Sequence, residues 1–247
     1  MSRERAQALL CESLGPFGQI KFPYVKMGKI DSLDLFGNTE LMLFALYWHN
    51  RKRWRRALDI GANIGLHSIL MAKCGFQVSA YEPDPEHYKR LCDNLLANKS
   101  LTKVLPLQQA VHTETGHYSF VRVLDNLTGN HLMGFKDSYG PRETITVPTM
   151  DCRGLWHDAD FAKLDCEGNE AVLLKTITAS DFAHLDLVLE IRNQDNANVI
   201  YWHCKEQGVP MWSQKIDWQR VQKIEDMPRL NREGSLFIGH KGPWSES

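Results

Sequence analysis

A glycine-containing turn follows the first predicted strand of the central region. In the segment LDIGANIGLHSI, Asp59 lies at the strand end, Gly61 and Gly65 lie in the turn, and a helix is expected directly afterwards. In an open α/β sheet such a turn faces the crevice beyond the carboxyl ends of the strands, and glycine lets the backbone approach a ligand closely. The spacing is G-x-x-x-G, whereas a dinucleotide fingerprint needs G-x-G-x-x-G. The turn therefore predicts a ligand site and disfavours NAD.

A carboxylate stands at the end of the next predicted strand. Glu82 follows the run FQVSAY and begins the segment EPDPE. A carboxylate at this position can accept two hydrogen bonds from the hydroxyls of a nucleoside sugar. Together with the glycine turn, Glu82 predicts a site for a ligand that contains a nucleoside.

The elements that position these residues alternate between strands and helices. Residues 1–35, interrupted by glycine and proline, are expected to form an N-terminal arm, and residues 36–247 a single domain. A first helix is expected from about Asn38, and another is expected to begin at Asp84 and Pro85. An antiparallel hairpin of HYSFVRV and ETITVPT is expected as an insertion. Short apolar runs predict strands over ALDI, FQVSAY, LPLQQAV, FAKLD, LDLVLEI, VPMWSQ and SLFIGH. With helices between them, these strands predict an α/β fold.

The composition excludes several classes of protein. The 247-residue chain has 43% apolar and 24% charged residues and no apolar run near the roughly 20 residues of a membrane span, so a soluble globular protein is expected. The net charge of −1 predicts no nucleic-acid partner, and the basic run RKRWRR is best explained as a solvated helix end. The first residues lack a signal-peptide pattern, which predicts a cytoplasmic protein. The six cysteines lack C-x-x-C spacing and are expected to be reduced thiols.

Four ordered segments resemble the motifs of a known family. They are DIGANIG, YEP, QAV and AKLDCEGNE. With PTMDCRGLW, they closely resemble the motif series of the FkbM family of S-adenosylmethionine-dependent methyltransferases, from about Ala57 to Arg192. The resemblance implies a Rossmann-like class I methyltransferase fold, with a seven-stranded, mostly parallel sheet in the order 3-2-1-4-5-7-6 and helices on both faces.

The resemblance also implies S-adenosylmethionine as the cofactor. It places the methionine part of the cofactor on the glycine turn, the ribose on Glu82, and the adenine near Gln109 and Ala110. The residues expected to bind the cofactor are Asp59, Gly61, Ala62, Asn63, Gly65, Glu82, Pro83, Gln109, Ala110 and Asp165.

Methyl transfer from a sulfonium needs an acceptor aligned with the C–S bond and a group that takes the proton of a hydroxyl or amine. Asp165 and Glu167 end the fourth strand and, at i and i+2, project to one face. Asp165 is the candidate base or substrate-orienting group, with Glu167 in support, although capping of the next helix explains Glu167 equally well. Glu190, at the end of the fifth strand, is a candidate substrate ligand. It could join Asp165 in a divalent-cation site, but no fixed ligand array supports one, and no metal is expected.

Other polar residues are weaker candidates. In the loop DNLTGNH, Asn126, Asn130 and His131 are expected to contact the acceptor from a hairpin lid, although ordinary turn chemistry explains them equally well. His67 could touch the cofactor or the substrate, or be an interior histidine. Cys166 points away from Asp165 by strand parity and is expected to be a core thiol.

These features predict a methyltransferase that acts on a hydroxyl of a small metabolite or glycan. Two alternatives stay open: an amide or amine N-methyltransferase, and a protein of this fold that binds S-adenosylmethionine without turnover. The segment LDCEG stands where nucleobase amine methyltransferases carry N/D-P-P-Y/F, which disfavours a nucleobase acceptor. The sequence does not determine the acceptor or the oligomeric state.

Overall fold

The computed structural model describes residues 13–24, 26–27, 30–124, 129–134 and 140–245. Their α-helices are α1 (Asn38–His49), α2 (Leu66–Lys73), α3 (Pro85–Ala97), α4 (Arg153–His157), α5 (Glu170–Leu174), α6 (Ala179–Phe182) and α7 (Gln194–Glu206). Their strands are β1 (Lys26–Met27), β2 (Ile30–Asp31), β3 (Arg56–Ile60), β4 (Gln77–Tyr81), β5 (Val104–Leu107), β6 (Ala110–His112), β7 (Gly116–Val123), β8 (His131–Leu132), β9 (Arg142–Asp151), β10 (Phe161–Leu164), β11 (Asp186–Glu190), β12 (Met211–Ser213), β13 (Gln219–Arg220) and β14 (Ser235–Ile238). None of the helices in these residues is long and apolar enough to cross a membrane.

The central sheet has the order β13-β12-β14-β11-β10-β3-β4-β5. Neighbouring strands from β11 to β5 are parallel, whereas β14 is antiparallel to both β11 and β12. Without β13, this order is the expected 3-2-1-4-5-7-6 in chain order. The expected count of seven strands was wrong by one, because the chain turns back after β12 and Gln219–Arg220 pairs antiparallel with it as an eighth, edge strand.

The segment between β5 and β10 forms a second sheet, in the order β6-β9-β7-β8. It contains the expected hairpin, since β7 and β9 pair antiparallel from Gly116 opposite Thr149 to Val123 opposite Arg142. The single strand expected over LPLQQAV is wrong, because β5 joins the central sheet while β6 pairs with β9. The backbone N–H of Gln109 donates to the carbonyl of Leu107 at 3.0 Å, and this tight turn ends β5.

Helices cover both faces of the central sheet, as expected. Successive residues of a strand point to opposite faces, so Ala57 packs into one core while Leu58 and Ile60 pack into the other. The first core includes buried residues of α1, α2 and α3, and the second includes buried residues of α4, α5, α6 and α7. Burying these apolar side chains on two faces holds the carboxyl ends of the strands at one rigid edge.

The described part of the expected N-terminal arm packs against the first core. Phe17, Ile20 and Phe22 are buried there. Lys21 N–H donates to Asn98 Oδ1 at 2.9 Å, and Asn98 Nδ2 donates to the Lys21 carbonyl at 2.7 Å, which ties the segment to the end of α3. A domain boundary at residue 35 stays a prediction.

Helix α3 begins as its sequence predicts. Asp84 is the N-cap, and its Oδ1 accepts hydrogen bonds from the backbone N–H groups of Glu86 and His87 at 2.8 and 3.0 Å. Pro85 occupies the first helical turn, where its missing N–H costs nothing. The cap places the preceding Glu82 and Pro83 at the carboxyl end of β4.

Candidate active site

A cavity of about 440 Å³ lies at the carboxyl ends of the parallel strands. This volume is within the range of small-molecule sites, about 300–1,000 Å³. Its wall combines the ends of β3, β4, β10 and β11 with residues of the second sheet and of the segment before α1. The predicted site residues in its lining are Gly61, Asn63, Glu82, Pro83, Ala110, Asn130, His131, Asp165, Glu167 and Glu190.

Four residues expected to bind the cofactor are not in that lining: Asp59, Ala62, Gly65 and Gln109. Asp59 is fully buried, and its Oδ2 accepts a hydrogen bond from Ser68 Oγ at 2.5 Å. A Cβ at Gly65 would meet Leu91 Cδ1 at 2.5 Å, so the missing side chain serves helix packing. A cofactor contact by these four residues stays a prediction. The expected acceptor contact Asn126 lies outside the described residues.

The turn after β3 requires glycine at position 61. Gly61 has φ +82°, and a Cβ there would overlap the backbone carbonyl of Asp165. The N–H groups of Gly61 and Ala62 both donate to the Tyr81 carbonyl at 3.0 Å. The turn is therefore held between β4 and the end of β10, and it brings Asn63 to the cavity.

Glu82 is 5% exposed at the cavity wall. Its Oε2 accepts a hydrogen bond from Asn63 N–H, and its Oε1 accepts one from Asp84 N–H, both at 2.8 Å. Burial raises the pKa of Glu82 to about 8, against the opposing effect of these two hydrogen bonds. The carboxyl group is thus fixed in orientation, and it loses its proton only as the pH rises to about 8.

Three carboxylates of the cavity converge on one guanidinium group. Arg192 Nη2 lies 3.1 Å from Asp165 Oδ1, 2.8 Å from Glu167 Oε1 and 2.7 Å from Glu190 Oε2. Glu167 is 6% exposed and has φ +57°, so its backbone adopts the left-handed region. We call these four residues the Arg192 cluster: Asp165, Glu167, Glu190 and Arg192. The cluster spans the ends of β10 and β11.

Lys163 forms an ion pair with Asp165 of this cluster. Its buried ammonium lies 3.3 Å from Asp165 Oδ2 and 3.9 Å from Asp59 Oδ1. Burial alone would lower the pKa of Lys163, but the carboxylates of Asp165, Asp59 and Glu40 outweigh burial and raise it. Lys163 thus stays charged between Asp59 and Asp165.

Asp165 and Glu190 differ in their affinity for a proton. Burial opposes the charge of Asp165, but Lys163 and Arg192 hold its pKa well below the usual range. Burial and the neighbouring charge of Asp165 raise the pKa of Glu190 well above its ordinary value. The pair therefore consists of an ionised Asp165 and a Glu190 that binds a proton more tightly. This difference favours the substrate-orienting role for Asp165 over the base role.

The part of the second sheet that lines the cavity is hydrogen-bonded to Asp84, the N-cap of α3. Arg122 Nε of β7 donates to Asp84 Oδ2 at 2.6 Å, and Asn130 Nδ2 donates to the same oxygen at 3.0 Å. Asn130 Oδ1 accepts from Val123 N–H at 2.8 Å, and His131 is 1% exposed. Asn130 therefore links the second sheet to the N-cap of α3. Contacts of Asn130 and His131 with the acceptor stay predictions.

Two further candidates have defined surroundings. His67 is not among the cavity-lining residues; its ring contacts Tyr47 Oη at 2.9 Å and Glu40 Oε2 at 3.0 Å. Cys166 lines the cavity, but burial first and Glu170 second raise the pKa of its thiol well above its ordinary value. A thiol that resists ionisation is a poor nucleophile. The expected core position is met only in part, because Cys166 packs against the second core but is half-buried and lines the cavity.

The sequence reasoning missed Lys163, Arg192 and Glu40. Lys163 precedes Asp165 by two residues, and Arg192 follows Glu190 by two, so strand parity was a usable signal that each pair shares a face. Glu40 of α1 lines the cavity from another part of the chain, and no local spacing predicts that contact. In the described part of the chain, no group of three or more histidine, cysteine or acidic side chains could hold a metal ion.

Comparisons with known proteins identify one family. Residues 59–205 match the methyltransferase FkbM domain. No curated protein matched the chain. Solved structures with a similar fold include the delta-N METTL16 MTase domain, with 13% identity, a TM-score of 0.48, and 97% of this chain and 98% of that chain covered.

Two further similar structures are of proteins that are also named as methyltransferases. The human methyltransferase 10 domain containing protein has 14% identity and a TM-score of 0.47, with 97% of this chain and 99% of that chain covered. The precorrin-6y C5,15-methyltransferase from Geobacter metallireducens GS-15 has 14% identity and a TM-score of 0.41, with 80% and 84% covered.

Proposed function

The chain belongs to the methyltransferase FkbM domain family, and from this premise we propose that it transfers a methyl group from S-adenosylmethionine to a hydroxyl of a small metabolite or glycan. One observation carries the proposal. A single cavity holds both the ribose candidate Glu82 and, at the neighbouring strand ends, an ionised Asp165 beside Glu190, which binds a proton more tightly.

The cavity fits the proposed cofactor chemically. Two amide oxygens among its lining residues, Asn63 Oδ1 and Asn169 Oδ1, are buried and have no hydrogen-bond partner. Hydroxyl and amine groups of an adenosine or methionine moiety are donors that such oxygens lack. Once it has lost its proton, Glu82 offers a carboxylate to the ribose hydroxyls. When bound, S-adenosylmethionine supplies a methyl group that its sulfonium centre has already activated.

The Arg192 cluster would prepare the acceptor hydroxyl. Asp165, kept ionised by Lys163 and Arg192, can accept a hydrogen bond from that hydroxyl and fix its direction. Glu190, whose pKa is raised, is the better proton acceptor of the pair once it is ionised. We therefore assign the orienting role to Asp165 and the base role to Glu190, with Glu167 helping to hold Arg192 in place.

The acceptor end of the cavity suits a small polar molecule. Asp34, Leu35 and Glu40 line it from the N-terminal side. Pairing with His67 lowers the pKa of Glu40 although burial opposes the charge, so its carboxylate is ionised and can accept hydrogen bonds. Acidic walls favour a polyhydroxylated acceptor over an anionic one, because a phosphate or carboxylate would meet charges of its own sign.

The test is a methyl-transfer assay with a deuterated methyl donor and panels of sugars, hydroxy acids, amines and amides. We expect the label on an oxygen, located by tandem mass spectrometry, with one S-adenosylhomocysteine formed per labelled product. Glu190→Gln should reduce turnover, whereas Glu206→Gln, at an exposed position on α7, should not. Label on nitrogen would replace the proposal by N-methylation. Binding of the donor without product from any panel would support a protein that only binds S-adenosylmethionine.

A further inference from the structure

Asn169 is a polar residue at the cavity wall to which no motif assigned a role. It is 1% exposed and stands directly before α5. Its Nδ2 donates to the Val111 carbonyl at 3.2 Å, whereas its Oδ1 is buried without a hydrogen-bond partner. Because the Val111 carbonyl can only accept, the amide nitrogen must face it, and this sets the direction of the oxygen.

The surroundings of Asn169 identify the kind of ligand that could satisfy this oxygen. The same cavity is lined by the apolar residues Ala110, Val111, Phe120 and Leu132. They come from β6, β7 and β8, the elements of the second sheet that close the cavity. A flat aromatic base suits apolar walls of this kind, provided that its polar edge finds partners.

Gln109 was the polar side chain expected near an adenine, but it is not among the residues that line the cavity. Asn169, anchored on Val111, lies beside the same segment. A buried amide oxygen without a partner is costly, so a ligand that donates an N–H group to it gains more than one that does not.

We propose that Asn169 Oδ1 accepts a hydrogen bond from the exocyclic amine of the adenine and makes the site selective for 6-aminopurines. The inference rests on the proposed use of S-adenosylmethionine and adds to it the residue that distinguishes adenine from a 6-oxopurine. In a 6-oxopurine, a carbonyl oxygen replaces the amine, and two acceptors would then face each other.

The experiment compares the binding of S-adenosylhomocysteine with that of S-inosylhomocysteine by isothermal titration calorimetry. The wild-type protein should bind the adenine compound about tenfold more tightly or better, as expected for a buried acceptor left facing another acceptor. In Asn169→Ala this ratio should fall toward one, because the amide oxygen is gone.

Asn196→Ala is the matched control. Asn196 Nδ2 also donates to a carbonyl of this loop, that of Gly168 at 3.2 Å, but Asn196 is not in the cavity lining. Its variant should keep the ratio. Asn169→Ser, which keeps a small polar residue at the position before α5 but shortens the side chain, is the second variant if Asn169→Ala does not fold.

The outcomes separate this inference from the proposed function. If the wild-type protein binds neither compound, the proposed use of S-adenosylmethionine fails. If it binds both equally, or if a folded Asn169 variant keeps the preference for adenine, only the role of Asn169 is overturned. A ratio that falls in the Asn169 variants and not in Asn196→Ala supports the assignment.

Discussion

The ammonium group of Lys163, a residue that is 5% exposed, lies 3.3 Å from the carboxylate of Asp165, two residues further along the chain. Lys163 pairs in register with Asp59 of the neighbouring strand β3. One buried cation thus connects Asp59, inside the strand that precedes the glycine turn, with Asp165, directly after β10, and we expect its loss to affect both.

Replacing Lys163 by methionine should destabilise the protein. The change keeps much of the volume but leaves Asp59 and Asp165 without their shared cation, and losing one partner of a buried pair costs about 3–5 kcal/mol. Urea unfolding at neutral pH measures this loss. Lys175→Met, at an exposed position, should stay within about 0.5 kcal/mol of wild type. Equal stability of the two variants would show that Lys163 does not compensate these acids.

Glu82 should make stability depend on pH. Its pKa of about 8 in the folded protein is above the ordinary value of 4.5. The stabilisation linked to its bound proton is therefore complete below about pH 4.5 and is lost as the pH rises to about 8. Glu82→Gln cannot titrate, so its unfolding free energy should fall less than that of wild type over this window. Parallel curves for the two proteins in urea titrations would refute the assigned pKa.

Glu82→Ala should weaken the binding of S-adenosylhomocysteine by about 1–3 kcal/mol, the usual cost of losing hydrogen bonds to a charged group. Calorimetric titration near pH 8.5 measures this with Glu82 mainly ionised. The exposed Glu225→Ala serves as the control and should bind normally. A folded Glu82→Ala with the dissociation constant of wild type would show that Glu82 does not hold the ribose.

Asp165→Asn and Glu190→Gln should affect the reaction in different ways. Both should lower turnover by about 10²-fold, a size typical of losing an orienting group or a general base, while S-adenosylhomocysteine still binds. Wild-type kcat/KM should rise with pH as Glu190 loses its proton. The charge of Asp165 raises the pKa of Glu190, so this rise should move to lower pH in Asp165→Asn and disappear in Glu190→Gln.

Rates should be expressed per folded molecule, measured from pH 6 to 9 with the acceptor found in the methyl-transfer assay. Should Asp165→Asn methylate that acceptor at the wild-type rate, Asp165 would have no catalytic role, and positioning by other groups would have to suffice. An unchanged pH profile in Glu190→Gln would exclude Glu190 as the base.

Gly61→Ala should be much more damaging than Gly75→Ala. Both glycines have positive φ, +82° and +97°, and alanine in such a conformation costs about 1–2 kcal/mol. Gly75 has open space where a Cβ would lie, whereas at Gly61 it would overlap the Asp165 carbonyl. Gly61→Ala should therefore lose more stability and also weaken S-adenosylhomocysteine binding. Equal losses in thermal and urea unfolding would show that backbone strain alone explains both.

Much of the fold was predictable from local patterns. The Asp84-Pro85 pair correctly marked the start of α3, and alternating apolar runs located the strands of the central sheet. The prediction of a single strand over LPLQQAV was wrong. The composition of this run suits one continuous strand, whereas the chain turns at Gln109 and enters a second sheet. Apolar periodicity does not reveal which strand a segment pairs with.

By itself the sequence determined the strand-turn-helix around Gly61, the acid after the second strand, and the family. These features depend on neighbours in the chain, so residue types and spacing suffice to find them. Only the tertiary structure decided that Asp59 lies beneath the turn against Ser68, while Arg192 gathers Asp165, Glu167 and Glu190. Those contacts join separate strand ends, and their distances follow from how β3, β10 and β11 align side by side. Charge balance in a buried site is thus set by strand register and side-chain reach, which local sequence does not encode.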